Sequence, residues 1–162
     1  AYFNVIKAKT ASLFMSCVAM GGYAVKASDE DIARLREFAE LLGMCFQIRD
    51  DIFDYFEDEK IGKPTGNDLR EGKITLPLLS VLLREDLPGH KEMLELSRKE
   101  QLSTEEIATL IEYAKVNGGI DYAYDTMARL RSQAIAILDL LPNNDARQSF
   151  IDIFDYIIHR DI

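Results

Sequence analysis

Histidine and cysteine are scarce: His90 and His159 are the only histidines, and Cys17 and Cys45 the only cysteines, in 162 residues. No Cys/His spacing matches a zinc site, and two cysteines on apolar helical stretches suit reduced core residues of a cytoplasmic protein better than a disulfide framework. Runs of alternating Val, Ile and Thr are missing, and turn pairs of hairpin type are few, so strands are not expected and the fold reads as all-α. The longest uncharged run, Thr10 to Val25, is bracketed by Lys9 and Lys26 and falls short of the roughly 20 residues a membrane span needs. It reads as a buried core helix, with no transmembrane segment and no signal peptide. Positive charge is in deficit, with 28 acids against 19 bases and a net charge of -9. That balance disfavours nucleic-acid partners and anionic membrane surfaces. No Ser/His or Cys/His arrangement suggests a nucleophilic enzyme.

What the chain does have is helical periodicity over most of its length, and its hydrophobic content of 48% is enough for one domain with a sizeable core. The periodicity predicts a first helix from about Tyr2 to Ala27, then a long second helix capped by Ser28-Asp29 and running to about Phe56. The polar stretch from Asp58 to Lys73, with three glycines and one proline, reads as a loop without regular structure. Pro77 suits the first turn of the next helix. Ser103-Thr-Glu-Glu106 reads as a capping box for a helix ending near Asn117-Gly118-Gly119. A further helix is expected from about Ile120 to Leu141, and Pro142 and Asn144 separate it from the last.

The informative segment is Gln47-Ile-Arg-Asp50-Asp51-Ile-Phe-Asp54-Tyr55. On a helical wheel Gln47, Asp50, Asp51 and Asp54 share an arc of roughly 100°, and apolar residues fill most of the remainder. Clustered carboxylates repel one another and need a compensating cation, and hard oxygen ligands select Mg²⁺. A solvated acidic face is the plain alternative. It would mix acids with lysines opposite a narrow apolar stripe, whereas the only base between Leu41 and Phe56 is Arg49, on the far side of the wheel. A calcium-binding loop is excluded because its alternating Asp/Asn ligands and central Gly are absent. The pentapeptide Asp-Ile-Phe-Asp-Tyr recurs at residues 152–156 with Ile151 in place of Asp50, and this second copy reads as helix packing.

The loop adds cations. Lys63 and Lys73 each follow a glycine, which allows close backbone approach to a phosphate, while surface lysines are the alternative. A metal held by carboxylates with lysines nearby is a way to grip a polyphosphate. A P-loop is excluded, since Pro64 follows Gly62-Lys63.

Taken in order, Lys9-Thr10-Ala11 with Leu13-Phe14, Gly43-x-x-Phe46-Gln47-x-x-Asp50-Asp51-x-x-Asp54-Tyr55, Gly62-Lys63, Gly66-x-Asp68-Leu69 and Gly72-Lys73-x-Thr75-Leu76-Pro77 resemble the C-terminal half of the trans-isoprenyl (polyprenyl) diphosphate synthases. The spacing is more similar to the bacterial octaprenyl type than to the farnesyl type. The resemblance implies an isoprenoid synthase-type helical bundle, with residues 1–162 as the C-terminal part of the domain. It also implies Mg²⁺, an allylic prenyl diphosphate and isopentenyl diphosphate. Asp50 would be the direct metal ligand, with Asp51 and Asp54 acting mostly through metal-bound water. Lys9, Thr10, Gln47 and Lys63 would surround the allylic diphosphate, and Lys73 would assist its binding. The implied chemistry is ionisation of the allylic C–O bond, attack by the isopentenyl double bond and loss of a proton. Leu13, Phe14, Phe46 and Phe53 could line the cavity, although at helical spacing ordinary core packing is the better reading.

The family's first Asp-rich motif and most of its isopentenyl diphosphate site are absent from the chain, which opens inside a helical pattern and so reads as part of something longer. The fragment alone is expected to be inactive and to self-associate as a homodimer or larger species. A non-catalytic partner subunit, a half-domain, and a class I terpene synthase-like enzyme are the alternatives, the last opposed by Gly72-Lys73-x-Thr75-Leu76-Pro77. The segment 58–73 is expected to behave as a lid.

Overall fold

The computed structural model describes residues 1–56 and 65–160. Lys63 and residues 58–64 of the expected lid therefore lie outside the described residues. All regular structure among the described residues is helical. In chain order the α-helices are α1 (Tyr2–Ile6), α2 (Ser12–Ala24), α3 (Asp29–Phe53), α4 (Asn67–Arg70), α5 (Leu76–Leu82), α6 (His90–Leu96), α7 (Thr104–Val116), α8 (Gly119–Leu138) and α9 (Asp145–His159). None of the described helices is long and apolar enough to cross a membrane. The chain divides into two compact units, one built from Ala1–Arg49 and from Thr126 onward, the other from Asp50–Asp125.

Local signals in the sequence account for four of the helix starts among the described residues. Ser28 Oγ accepts the Asp31 N–H at 3.1 Å at the head of α3. At α7 the capping box closes in both directions: Glu106 N–H donates to Ser103 Oγ at 3.2 Å, and Ser103 N–H to Glu106 Oε2 at 2.9 Å. Asn144 Oδ1 accepts the Arg147 N–H at 3.0 Å to start α9. Each satisfies donors that the first helical turn leaves unpaired. Pro77 occupies the first turn of α5 as expected.

Three expectations need correction. The first helix is not uniform, because residues Lys7–Ala11 form a π-helical turn between α1 and α2. The stretch before Lys73 is not wholly irregular either: Gly66, at φ 73°, turns the chain into the single helical turn of α4. The run from Thr10 to Val25 is not a buried core helix: only Ala11, Ala19 and Gly22 in it are buried, and Leu13 and Cys17 face solvent on α2.

The first unit is centred on α3. Phe38, fully buried, meets Phe150 and Phe154 of α9 edge-on, with ring centroids 5.3 and 5.9 Å apart. Arg49 is also buried and serves the end of α9: its Nε and Nη2 donate to the Arg160 carbonyl at 3.2 and 2.6 Å. In the second unit, Leu69, Leu78, Val81 and Met93 pack with Ile107, Leu110 and Ala114 of α7 and with Tyr55.

Candidate functional site

Within the first unit, the predicted residues Thr10 and Gln47 come together. Thr10 Oγ1 donates to Gln47 Oε1 at 2.6 Å, and both side chains are half-buried. Two features of the sequence allow this approach. Gly43 lies one turn before Gln47 on α3, and a Cβ there would fall 2.5 Å from Ala11 Cα, so the two backbones touch where only glycine fits. The π turn that ends at Ala11 sets the register of Thr10 against α3, a distortion that tends to accompany function. Lys9 is exposed on the same turn, and Phe14 stacks obliquely on Phe46 at 5.5 Å.

In the second unit, Asp50 and Asp51 ride the last turn of α3 and Asp54 follows its end. Their environments differ: Asp51 is buried at 4% exposure, while Asp50 and Asp54 are half-buried. Asp54 is committed to the chain that re-enters at α4, accepting the Asn67 and Asp68 backbone N–H groups at 3.0 Å each. Lys73 is exposed and pairs with Glu71, with Asp68 Oδ1 3.9 Å away. The hydrogen bond to Glu71, then the charges of Glu71, Asp68 and Asp51, raise its pKa above the ordinary lysine value, so it is cationic at any working pH. Among the described residues, no group of three or more His, Cys, Asp or Glu side chains is placed to hold a metal ion unaided.

The repeated pentapeptide separates site from packing. In the first copy Asp51, Ile52 and Tyr55 are buried. In the second, Asp152 is exposed, Tyr156 is 70% exposed and Phe154 is the buried member. Asp155 there forms a two-pronged bond with Arg131, at 2.5 and 2.9 Å. The same five residues thus present opposite faces, and the second copy packs α9 as expected.

Sequence reasoning overlooked Tyr55 and Thr75 as a pair. Tyr55 OH lies 3.2 Å from Thr75 Oγ1 and accepts the Leu78 N–H at 3.2 Å. The signal available was a tyrosine ending one motif and a threonine inside a later one, with nothing in the spacing to connect them.

Residues 1–114 match the family model described as Polyprenyl synthetase. The short chain isoprenyl diphosphate synthase of Methanocaldococcus jannaschii is 34% identical over 160 residues, covering 98% of this chain and 48% of that protein. Matched relatives also include heptaprenyl, octaprenyl and nonaprenyl diphosphate synthases. The crystal structure of geranylgeranyl pyrophosphate synthase from Bacteroides thetaiotaomicron superposes with a TM-score of 0.89 at 37% identity, over 99% of this chain and 52% of that one. Polyprenyl synthase from Caulobacter crescentus, complexed with calcium and isoprenyl diphosphate, does so with a TM-score of 0.87 at 33% identity, over 99% of this chain and 49% of that one. The chain spans about half the length of the curated relatives it matches.

Proposed function

Because the chain belongs to the polyprenyl synthetase family, we propose that it carries the diphosphate-activating half of a trans-prenyltransferase. In the reaction an allylic prenyl diphosphate loses diphosphate as its C–O bond breaks, the isopentenyl diphosphate double bond forms the new C–C bond, and a proton leaves to restore the alkene.

The observation that supports this most directly is the acid end of α3, where Asp50 and Asp51 share the last turn, Asp51 is buried, and half-buried Asp54 follows. An oxygen-only donor set fits Mg²⁺, and because Mg²⁺ keeps several waters and readily shares phosphate oxygens, carboxylates that cannot enclose an ion can still hold a Mg²⁺-diphosphate. Asp50 is assigned as the direct ligand, with Asp51 and Asp54 supporting it. Such an ion would supply positive charge to the leaving diphosphate. Lys73 adds a point charge for diphosphate oxygens, and Lys63 has the same assignment from its motif. Lys9, Thr10 and Gln47 are assigned to the allylic substrate, with the Thr10–Gln47 bond fixing both side chains before it arrives.

On its own the chain offers one acid motif, and ionisation needs charge stabilisation from both sides of the leaving group. No turnover is expected from it alone. In a longer synthase containing this chain, Asp50→Ala should lower isopentenyl transfer by more than the roughly 10- to 100-fold seen when a group acting through a ligand is lost. Asp152→Ala, on an exposed face of α9, should leave turnover intact. Equal effects of the two substitutions at saturating Mg²⁺ would sink the assignment.

A further inference from the structure

Asp54 and Tyr55 end the acid motif, and each caps a helix that starts further along the chain. Asp54 serves α4. The N-cap of that helix is Gly66, which has no side chain to offer and whose own N–H donates to the Asp54 carbonyl at 2.9 Å. The Asp54 carboxylate takes the vacant role, with Oδ1 accepting from Asn67 N–H and Oδ2 from Asp68 N–H.

Tyr55 serves α5 in the same way. Thr75 stands at the N-cap of α5 but its side chain caps nothing. The N–H of Leu78 instead donates to Tyr55 OH, which also bonds the Thr75 hydroxyl. Tyr55 is 2% exposed, and burial raises its pKa well above the ordinary tyrosine value, against the lowering effect of the Thr75 and Leu78 bonds. It is a neutral, fixed post.

Lys73 lies between these two anchors. Its N–H donates to the Asp68 carbonyl at 2.8 Å, directly after the turn that Asp54 holds, and Thr75 follows two residues later. We infer that Asp54 and Tyr55 are positioning residues that clamp the Gly66–Leu78 segment from both ends and so set where Lys73 meets diphosphate, Asp54 acting through this segment and not as a direct ligand of an ion. Turning the Asp54 carboxylate toward an ion would leave at least one of its two N–H donors without a partner. The inference rests on the proposed role of Lys73 in binding diphosphate.

Two measurements test it. Amide exchange on the chain without metal should show Asn67 and Asp68 exchanging about 10-fold faster or more in Asp54→Ala, and Leu78 likewise in Tyr55→Phe, with helicity retained. Asp54→Asn keeps one acceptor oxygen and should restore one of the two amides. Calorimetric titration with Mg²⁺ and inorganic diphosphate should show Asp54→Asn weakening binding by about 10-fold, with that loss absent when Lys73→Ala is already in place. Unchanged protection at Asn67 and Asp68, or an equal binding loss with and without Lys73, would overturn the inference. If the unaltered chain bound no Mg²⁺-diphosphate, the functional proposal would fail, and the exchange measurement would still decide the anchoring by itself.

Discussion

Thr10 and Gln47 are 37 residues apart in sequence and joined by a 2.6 Å hydrogen bond, with the threonine hydroxyl donating to the amide oxygen. The bond exists because α3 approaches the π turn at Gly43 and Ala11, where the backbones leave no room for a side chain. A residue of the family motif that touches no substrate in this assignment is therefore a condition for two that do.

Gly43→Ala should consequently destabilise the chain by about 1–3 kcal/mol, the usual cost of forcing a methyl group into a packed contact. Thr10→Val should cost about 1 kcal/mol through the lost bond, and Thr10→Ser much less. Urea denaturation followed by circular dichroism measures all three. A neutral Gly43→Ala would mean that the close approach of these backbones is not maintained in solution.

The pairing of Arg131 with Asp155 predicts a pH effect. The Arg131 hydrogen bond, followed by its charge and that of His159, holds the Asp155 carboxyl below the usual aspartate range, with partial burial opposing. A carboxyl depressed in the folded state contributes stability above its unfolded pKa, which is lost as pH falls through the folded pKa. Both partners are more than a third exposed, so the contribution should stay below about 1 kcal/mol. Asp155→Asn should lower stability at pH 7, and the difference should shrink as pH falls through the folded pKa and the acid becomes protonated in both states. A difference that persists in acid would assign the effect to packing.

Sequence alone revealed those features whose cause is local. The capping box at Ser103, the Asn144 cap and Pro77 in the first turn of α5 each depend on residues within three positions, and periodicity sufficed for an all-helical chain. The acid motif and its second, packing copy were also distinguishable by composition. Features caused by distant contacts were hidden. The close approach of α3 to the π turn depends on Gly43, the work of Asp54 depends on a chain that returns 13 residues later, and the partner of Tyr55 OH comes from a later motif. Lys9 and Lys73 were identifiable as candidate cations, whereas their exposure was not.

The two cysteines should differ in reactivity. Cys45 is fully buried, its Sγ lies 3.7 Å from the Met127 carbonyl, and burial pushes its pKa up to about 12. The thiolate that attacks disulfide reagents is therefore almost absent at neutral pH. Cys17 is exposed. Titration of the dilute native chain with an aromatic disulfide should release one equivalent quickly and the second only after unfolding. Rapid labelling of both would show that the α3 core opens readily.

Cys17 also reports on association. Leu13, Cys17 and Met20 fall at i, i+4 and i+7 on α2 and so share one face. Leu13 is 67% and Met20 is 64% exposed. Burying one such side chain against an apolar partner gains about 1.5–3 kcal/mol, and a second copy of the same stripe is a partner present at the protein's own concentration. The chain should therefore self-associate as its concentration rises, with light scattering increasing and Cys17 labelling slowing over the same range. Leu13→Lys and Met20→Lys should abolish both changes together, because lysine on the stripe replaces apolar contact with like-charge repulsion. Scattering that rises while Cys17 stays fully reactive would place the association on another face and leave this stripe bare.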